Sequence, residues 1–140
     1  MKLSNNFTLE ELVKSPTAKR LGFTEQTSPE GATVENLTYL AKKVLEPIRG
    51  RFGAFSASSG YRCLRLNRSL GSKDTSFHVG GYAADIDLGS KNKELLEFIK
   101  KELPFTELIN EYPDAKGNPD WVHVAIVKGR ENEKKIKVIV

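Results

Sequence analysis

The sequence predicts an α+β domain with a central, mostly antiparallel sheet and flanking helices. Apolar residues at helical spacing dominate the first half of the chain, and alternating, strand-like segments cluster in the second half. The regular strand-helix alternation of a parallel α/β fold is missing, which leaves the segregated α+β class. A length of 140 residues suits one hydrophobic core, and no repeat, low-complexity run or Gly/Ser linker divides the chain. Residues 1–140 are therefore expected to form a single domain.

The first helix is announced by Thr8-Leu9-Glu10-Glu11, a capping box flanked by Phe7 and Leu12 at the spacing of a hydrophobic staple. It is expected to run from Leu9 to Lys14, with Ser15-Pro16 interrupting it. Pro29-Glu30-Gly31 marks a turn. A longer helix over Val34 to Ile48 follows from Val34, Leu37, Ala41, Val44, Leu45 and Ile48 recurring on one face. Phe55 to Ser59 alternates apolar and serine positions and reads as a short strand, and Cys63 to Leu70 reads as a short basic helix closed by Gly71. Tyr82 to Leu88 alternates again, with Ala84, Ile86 and Leu88 on one face and Ala83, Asp85 and Asp87 on the other. An amphipathic helix over Lys91 to Leu103 ends at Pro104, and Phe105 to Tyr112 follows as a strand. Trp121 to Val127 is the clearest strand, presenting Trp121, His123 and Ala125 opposite Val122, Val124 and Ile126. The last strand, Lys135 to Val140, alternates apolar residues with lysines and belongs at an edge.

Composition narrows the chemistry. A single cysteine, Cys63, excludes an internal disulfide and a thiolate zinc cluster, so any metal must be held by histidine and carboxylate. The 22 Lys and Arg outnumber the 18 Asp and Glu, giving a formal charge of +4 and a preference for anionic surroundings such as nucleic acid or bacterial wall. Basic residues gather around Arg62, Arg65, Arg68 and Lys73, and again over Lys128, Arg130, Lys134, Lys135 and Lys137, but no nucleic-acid-binding motif accompanies them. Nucleic acid is therefore not expected as a partner. The amino-terminal residues lack the apolar stretch of a secretory signal, and no segment approaches the ~20 apolar residues of a membrane span. Synthesis in the cytoplasm, without integral membrane association, is the expectation.

The two histidines, His78 and His123, decide the rest. His78 precedes Asp85 across Gly80 and Gly81, whose freedom lets the chain turn back so that both side chains converge on one ion. With His123 they form a set of two histidines and one carboxylate, and three protein ligands leave the fourth tetrahedral position of a catalytic zinc open to water. Read singly, each also fits a loop histidine, a turn aspartate and a half-buried strand histidine. Asp120, three residues before His123, is placed to act as a general base, although Asn118-Pro119-Asp120 also reads as a turn. Arg62 offers a fixed guanidinium for a substrate carboxylate or an oxyanion.

Ser59-Gly60-Tyr61-Arg62, then Ser76-x-His78-x-x-Gly81-x-Ala83-x-Asp85, then Asp120-Trp121-Val122-His123-Val124, together resemble the zinc D-Ala-D-Ala carboxypeptidase and L-Ala-D-Glu endopeptidase family of peptidoglycan metallopeptidases. Phe7 to Leu12 and Val44 to Arg49 extend the resemblance to its short branch, which includes phage endolysins. The resemblance implies the fold of the D-Ala-D-Ala metallopeptidases and hedgehog-like proteins. It implies one zinc ion on His78, Asp85 and His123, Asp120 as base and then acid, and Arg62 polarising the scissile carbonyl. It also places Ser76, Tyr61 and Trp121 at the substrate. Many members carry Glu where this chain has Asp120, and Glu111 is the alternative base. Some also carry a histidine where this chain has Trp121, which is available either as a cleft wall or as a core residue. The implied partner is peptidoglycan peptide met by a monomer, at a bacterial wall reached by phage lysis or virion delivery. A catalytically inactive wall- or protein-binding module of the same fold is the alternative.

Overall fold

Four strands pair in the order β1-β3-β2-β4, with β1 at Ala83–Ile86, β2 at Glu107–Glu111, β3 at Trp121–Ala125 and β4 at Lys135–Ile139. The computed structural model describes residues 1–140. β3 lies antiparallel between β1 and β2, whereas β4 adds to the outer edge of β2 in parallel. The parallel pairing follows from where the chain emerges. β3 ends beside the start of β2, and the following turns lead Lys134 and Lys135 to donate to the Phe105 and Thr106 carbonyls. β4 thus begins where β2 begins and runs with it. The sheet is mixed, and its three expected antiparallel strands carry the site.

Alternation gives the sheet two unlike faces. Ala84, Ile86, Leu108, Val122 and Val124 turn to one side and are fully buried against helices. The opposing layer is a helical run comprising α3 (Gly31–Leu40), a π turn (Ala41–Leu45) and α4 (Glu46–Phe52), together with α6 (Asn92–Glu102). Leu37, Leu40, Leu45, Ile48, Leu95 and Ile99 supply its buried face. The expected helix therefore forms but extends beyond Ile48, to Phe52. It passes through Pro47, which has no amide hydrogen, because the preceding turn widens and the Glu46 amide reaches back to the Ala41 carbonyl.

At the amino-terminal end α1 (Leu9–Val13) has the predicted capping box, with the Glu11 amide donating to Thr8 Oγ1 at 3.2 Å and the Thr8 amide donating to Glu11 Oε1 at 3.3 Å. Pro16 does more than interrupt it. Proline is tolerated in a first helical turn, and here it opens a second helix, α2 (Pro16–Leu21), capped by the Ser15 hydroxyl. The short basic helix is α5 (Leu64–Ser69). The expected strand at 55–59 reduces to a single bridge, in which Ser59 pairs with Asp85. Its Phe55 and Ala57 pack on the core without a continuous ladder. The outer strand β4 is exposed along its whole length, as an edge strand of alternating lysines predicts. No helix is long and apolar enough to cross a membrane.

Two glycines set the loops that carry the site. Gly60 lies so close to α1 that a Cβ would sit 2.5 Å from the Leu12 carbonyl oxygen, which already accepts from the Tyr61 amide at 2.8 Å. Gly81, at φ +79°, makes the turn into β1, and a Cβ there would meet Thr33 at 2.9 Å. Gly60→Ala is expected to destabilise the protein by about 1–3 kcal/mol through this backbone clash. Urea unfolding measures it, and a variant as stable as the wild type would contradict the close approach.

Candidate active site

The second face of the sheet forms the floor of a cleft of about 930 Å3. Register places its chemistry. Asp85 of β1 is directly opposite His123 of β3, which on its other side faces Ile109 of β2. His78, in the loop before β1, comes over this row, and its Nδ1 lies 2.7 Å from the Gly60 carbonyl. The carbonyl can only accept, so Nδ1 donates to it and Nε2 is turned toward Asp85. That Nε2 lies 3.3 Å from Asp85 Oδ1, and His123 Nδ1 lies 3.2 Å from the same oxygen. The three donor atoms lie within 4.8 Å of one another, and all three residues are buried. Two imidazole nitrogens and one carboxylate oxygen at this spacing suit a divalent ion with an open position.

Arg62 is held at the side of this cluster, with Nε donating to Ser59 Oγ and Nη2 donating to Asp85 Oδ2, each at 3.2 Å. Neither contact uses Nη1. Backbone support comes from Gln26, a fully enclosed side chain on the short 3-10 turn Thr24–Thr27. It donates to the Val13 and Tyr61 carbonyls and accepts from the Cys63 amide, each at 2.8 Å, so it clamps the chain on both sides of Arg62. Nothing in the local sequence around Gln26 announces this role, which depends on contacts far apart in the chain.

Charge explains the protonation pattern of the cluster. Burial opposes ionisation of Asp85, but hydrogen bonds and charge from His123 and His78 overcome it and hold this carboxyl well below the usual range. For His123 burial likewise favours the neutral ring. Asp85 on one side and Glu107 on the other outweigh it and raise its pKa to about 9.

The remaining expected residues divide. Ser76 and Trp121 line the cleft, Trp121 against Tyr112 with ring centroids 5.3 Å apart. Tyr61 does not line it, because its half-buried ring packs between the main core and the small cluster of Ala18, Cys63 and Leu66. Asp120 is exposed in the bend before β3 and is likewise absent from the cleft wall, engaging neighbours through its backbone amide and carbonyl. Glu111 occupies the wall instead, opposite Trp121 on β2. Burial raises its pKa, and the Asp85 charge adds to this, against opposing contributions from His123, Trp121 and Arg62. Glu107, also on the cleft wall, was not among the expected residues. The alternation of Glu107, Ile109 and Glu111 with Leu108 and Asn110 was the sequence signal that placed both glutamates on one face.

Several basic residues that raised the question of nucleic acid are locally paired. Arg65 binds Glu25, Arg68 binds Asp74 and Arg130 binds Glu133, so these cations do not form an unopposed stripe.

Two histidines and a carboxylate at ligand spacing, open to a cleft beside a fixed guanidinium, could hold a catalytic divalent ion. Residues 5–125 match the peptidase M15 family, and the chain belongs to it, a family of metallopeptidases of the zinc D-Ala-D-Ala carboxypeptidase type. No curated protein matches the chain. The match ends before β4, which lies outside the matched residues.

A metal ion on His123 must displace the proton that the apo ring holds at neutral pH. Because the folded pKa is raised to about 9, that competition is present at neutral pH and fades as pH rises through this value. Apparent affinity for a divalent ion should therefore rise by about tenfold per pH unit between pH 7 and 8, with release of a proton. Calorimetric titration in buffers of different ionisation enthalpy measures both, and a flat affinity profile would contradict the assignment.

Proposed function

We propose that this chain is a zinc metallopeptidase that hydrolyses a peptide bond in bacterial peptidoglycan stem peptides or cross-links. The observation that carries the reading is the convergence of His78, Asp85 and His123 on the floor of an open cleft, beside Glu111, in a member of the peptidase M15 family. The donor set of two nitrogens and one oxygen fits zinc. A zinc ion held by His78, Asp85 and His123 would supply Lewis acidity and make the attacking water easier to deprotonate.

The chain's own residues supply the proton transfers and the orientation. Glu111 is the proposed base, since it shares the cleft with the ligands and its surroundings favour the proton-bound form more than water does. It takes a proton from the attacking water and returns it to the leaving amine nitrogen as the C–N bond breaks. Asp120, the base expected from its place before His123, is exposed in the bend before β3 and is the alternative base. Arg62 keeps Asp85 in place through Nη2, and its remaining Nη1 serves the oxyanion that forms at the carbonyl carbon. Ser76 and Trp121 are proposed to border the substrate. A monomer of one domain, made in the cytoplasm and acting at the wall during phage lysis or virion delivery, is the setting we propose, by resemblance to endolysins.

Mass spectrometry of muropeptides released from purified peptidoglycan tests the reading and identifies the bond. Wild-type protein should release them, lose activity on chelation and recover it with zinc. Glu111→Gln should lower turnover by about 10²–10⁴-fold while retaining the ion, whereas Asp120→Asn should stay near the wild-type rate. The reverse order of the two variants would move the base to Asp120. Ion binding without turnover on any muropeptide would favour a binding module.

A further inference from the structure

His123 uses both ring nitrogens. Its Nδ1 turns to Asp85, whereas its Nε2 lies 2.9 Å from Glu107 Oε1. Glu107 Oε2 in turn accepts from Lys137 Nζ at 3.0 Å. The three residues come from adjacent strands β3, β2 and β4 and form an unbroken chain from the candidate metal centre to the sheet edge. Glu107 is largely enclosed, its side chain 13% exposed, while that of Lys137 is 55% exposed. A carboxylate in so little water needs compensation, and these two donors are what it has.

We propose that Glu107 is a positioning residue for the metal centre and that Lys137 of β4 holds it in place. The proposal rests on reading His78, Asp85 and His123 as metal ligands. A carboxylate at Nε2 keeps the hydrogen there, so the Nδ1 lone pair is presented toward Asp85 and His78. It also locks the ring's rotation. Glu107 is not itself a fourth ligand of the same ion, because the imidazole ring stands between it and the converging donors: Oε1 meets Nε2, and the cluster meets Nδ1. Lys137 lies on β4, beyond residue 125 where the family match ends, so this outer support comes from outside the matched residues.

The test combines zinc affinity with the tautomer of His123. In zinc-loaded wild-type protein, long-range ¹H–¹⁵N NMR of the imidazole should show Nδ1 on the metal and a hydrogen on Nε2. Glu107→Ala should weaken zinc binding by about 10–100-fold, measured by chelator competition. Glu107→Gln, which keeps an acceptor but loses the charge, should fall between the two. Lys137→Met should shift affinity in the same direction by less. Melting of the apo proteins, followed alongside, separates this effect from general destabilisation. Wild-type affinity in folded Glu107→Ala, or Nε2 on the metal in the wild type, would overturn the proposal while leaving the ligand set intact. If Glu107→Ala does not fold, the wild-type tautomer and Lys137→Met decide, and an unshifted affinity in the latter removes Lys137 from the proposal. A wild-type chain that takes up no zinc overturns the ligand reading and this proposal with it.

Discussion

Asp85 is the point on which the rest of the site depends. Its carboxylate is buried and ionised, a costly state that requires partners on every side. Oδ1 faces nitrogens of both His78 and His123, and Oδ2 faces Arg62. The backbone of the same residue bonds the Ser58-Ser59 segment at both its amide and its carbonyl, fixing the loop that leads to Arg62. One strand residue therefore ties together a loop histidine, a neighbouring strand and the guanidinium.

That arrangement needs a rigid platform, and alternation across the sheet supplies it. Ala84, Ile86, Leu108, Val122 and Val124 are committed to the helix-covered core, which turns the alternate residues Asp85, Glu107, Ile109, Glu111, Trp121 and His123 to the cleft. A slip of one residue in β3 would put His123 into the core and Val122 or Val124 into the site. The apolar burial behind the sheet thus protects the register on which the ligand geometry depends. The supports around the ligands are hydrogen bonds to groups distant in sequence: the Gly60 carbonyl for His78, Glu107 for His123 and Gln26 for the backbone beside Arg62. They let polar ligands remain buried without unsatisfied atoms.

The cleft mixes a compact acidic centre with basic walls. Asp85, Glu107 and Glu111 lie at or near the cluster, and Lys73, Arg130, Lys135 and Lys137 stand around it. Pairing consumes part of the positive charge, through Glu133 for Arg130 and Glu107 for Lys137. Many of the basic residues are thus opposed locally, and the net charge of +4 is the excess that such pairing leaves.

What the sequence determined by itself was whatever depends on short-range spacing. The Thr8-Glu11 capping box, the helical periodicity over 34–48, the alternation around His123 and the His78-to-Asp85 turn are all local, so one sequence shows them. The His78, Asp85 and His123 set was legible because the chain has only two histidines and the motifs around them carry the family resemblance. Tertiary structure decided which other side chains join them. Asp120 was near His123 in the chain, but it lies in the bend before β3 and reaches the surface, whereas Glu111 arrives from β2 through cross-strand register. Tyr61 was next to Arg62 yet turned into the core, and the strand expected at 55–59 became a single bridge because only Ser58 and Ser59 meet β1, at Asp85 alone. Glu107 and Lys137 found His123 through strand order, a long-range quantity set by how the whole sheet closes its core, which no local spacing encodes.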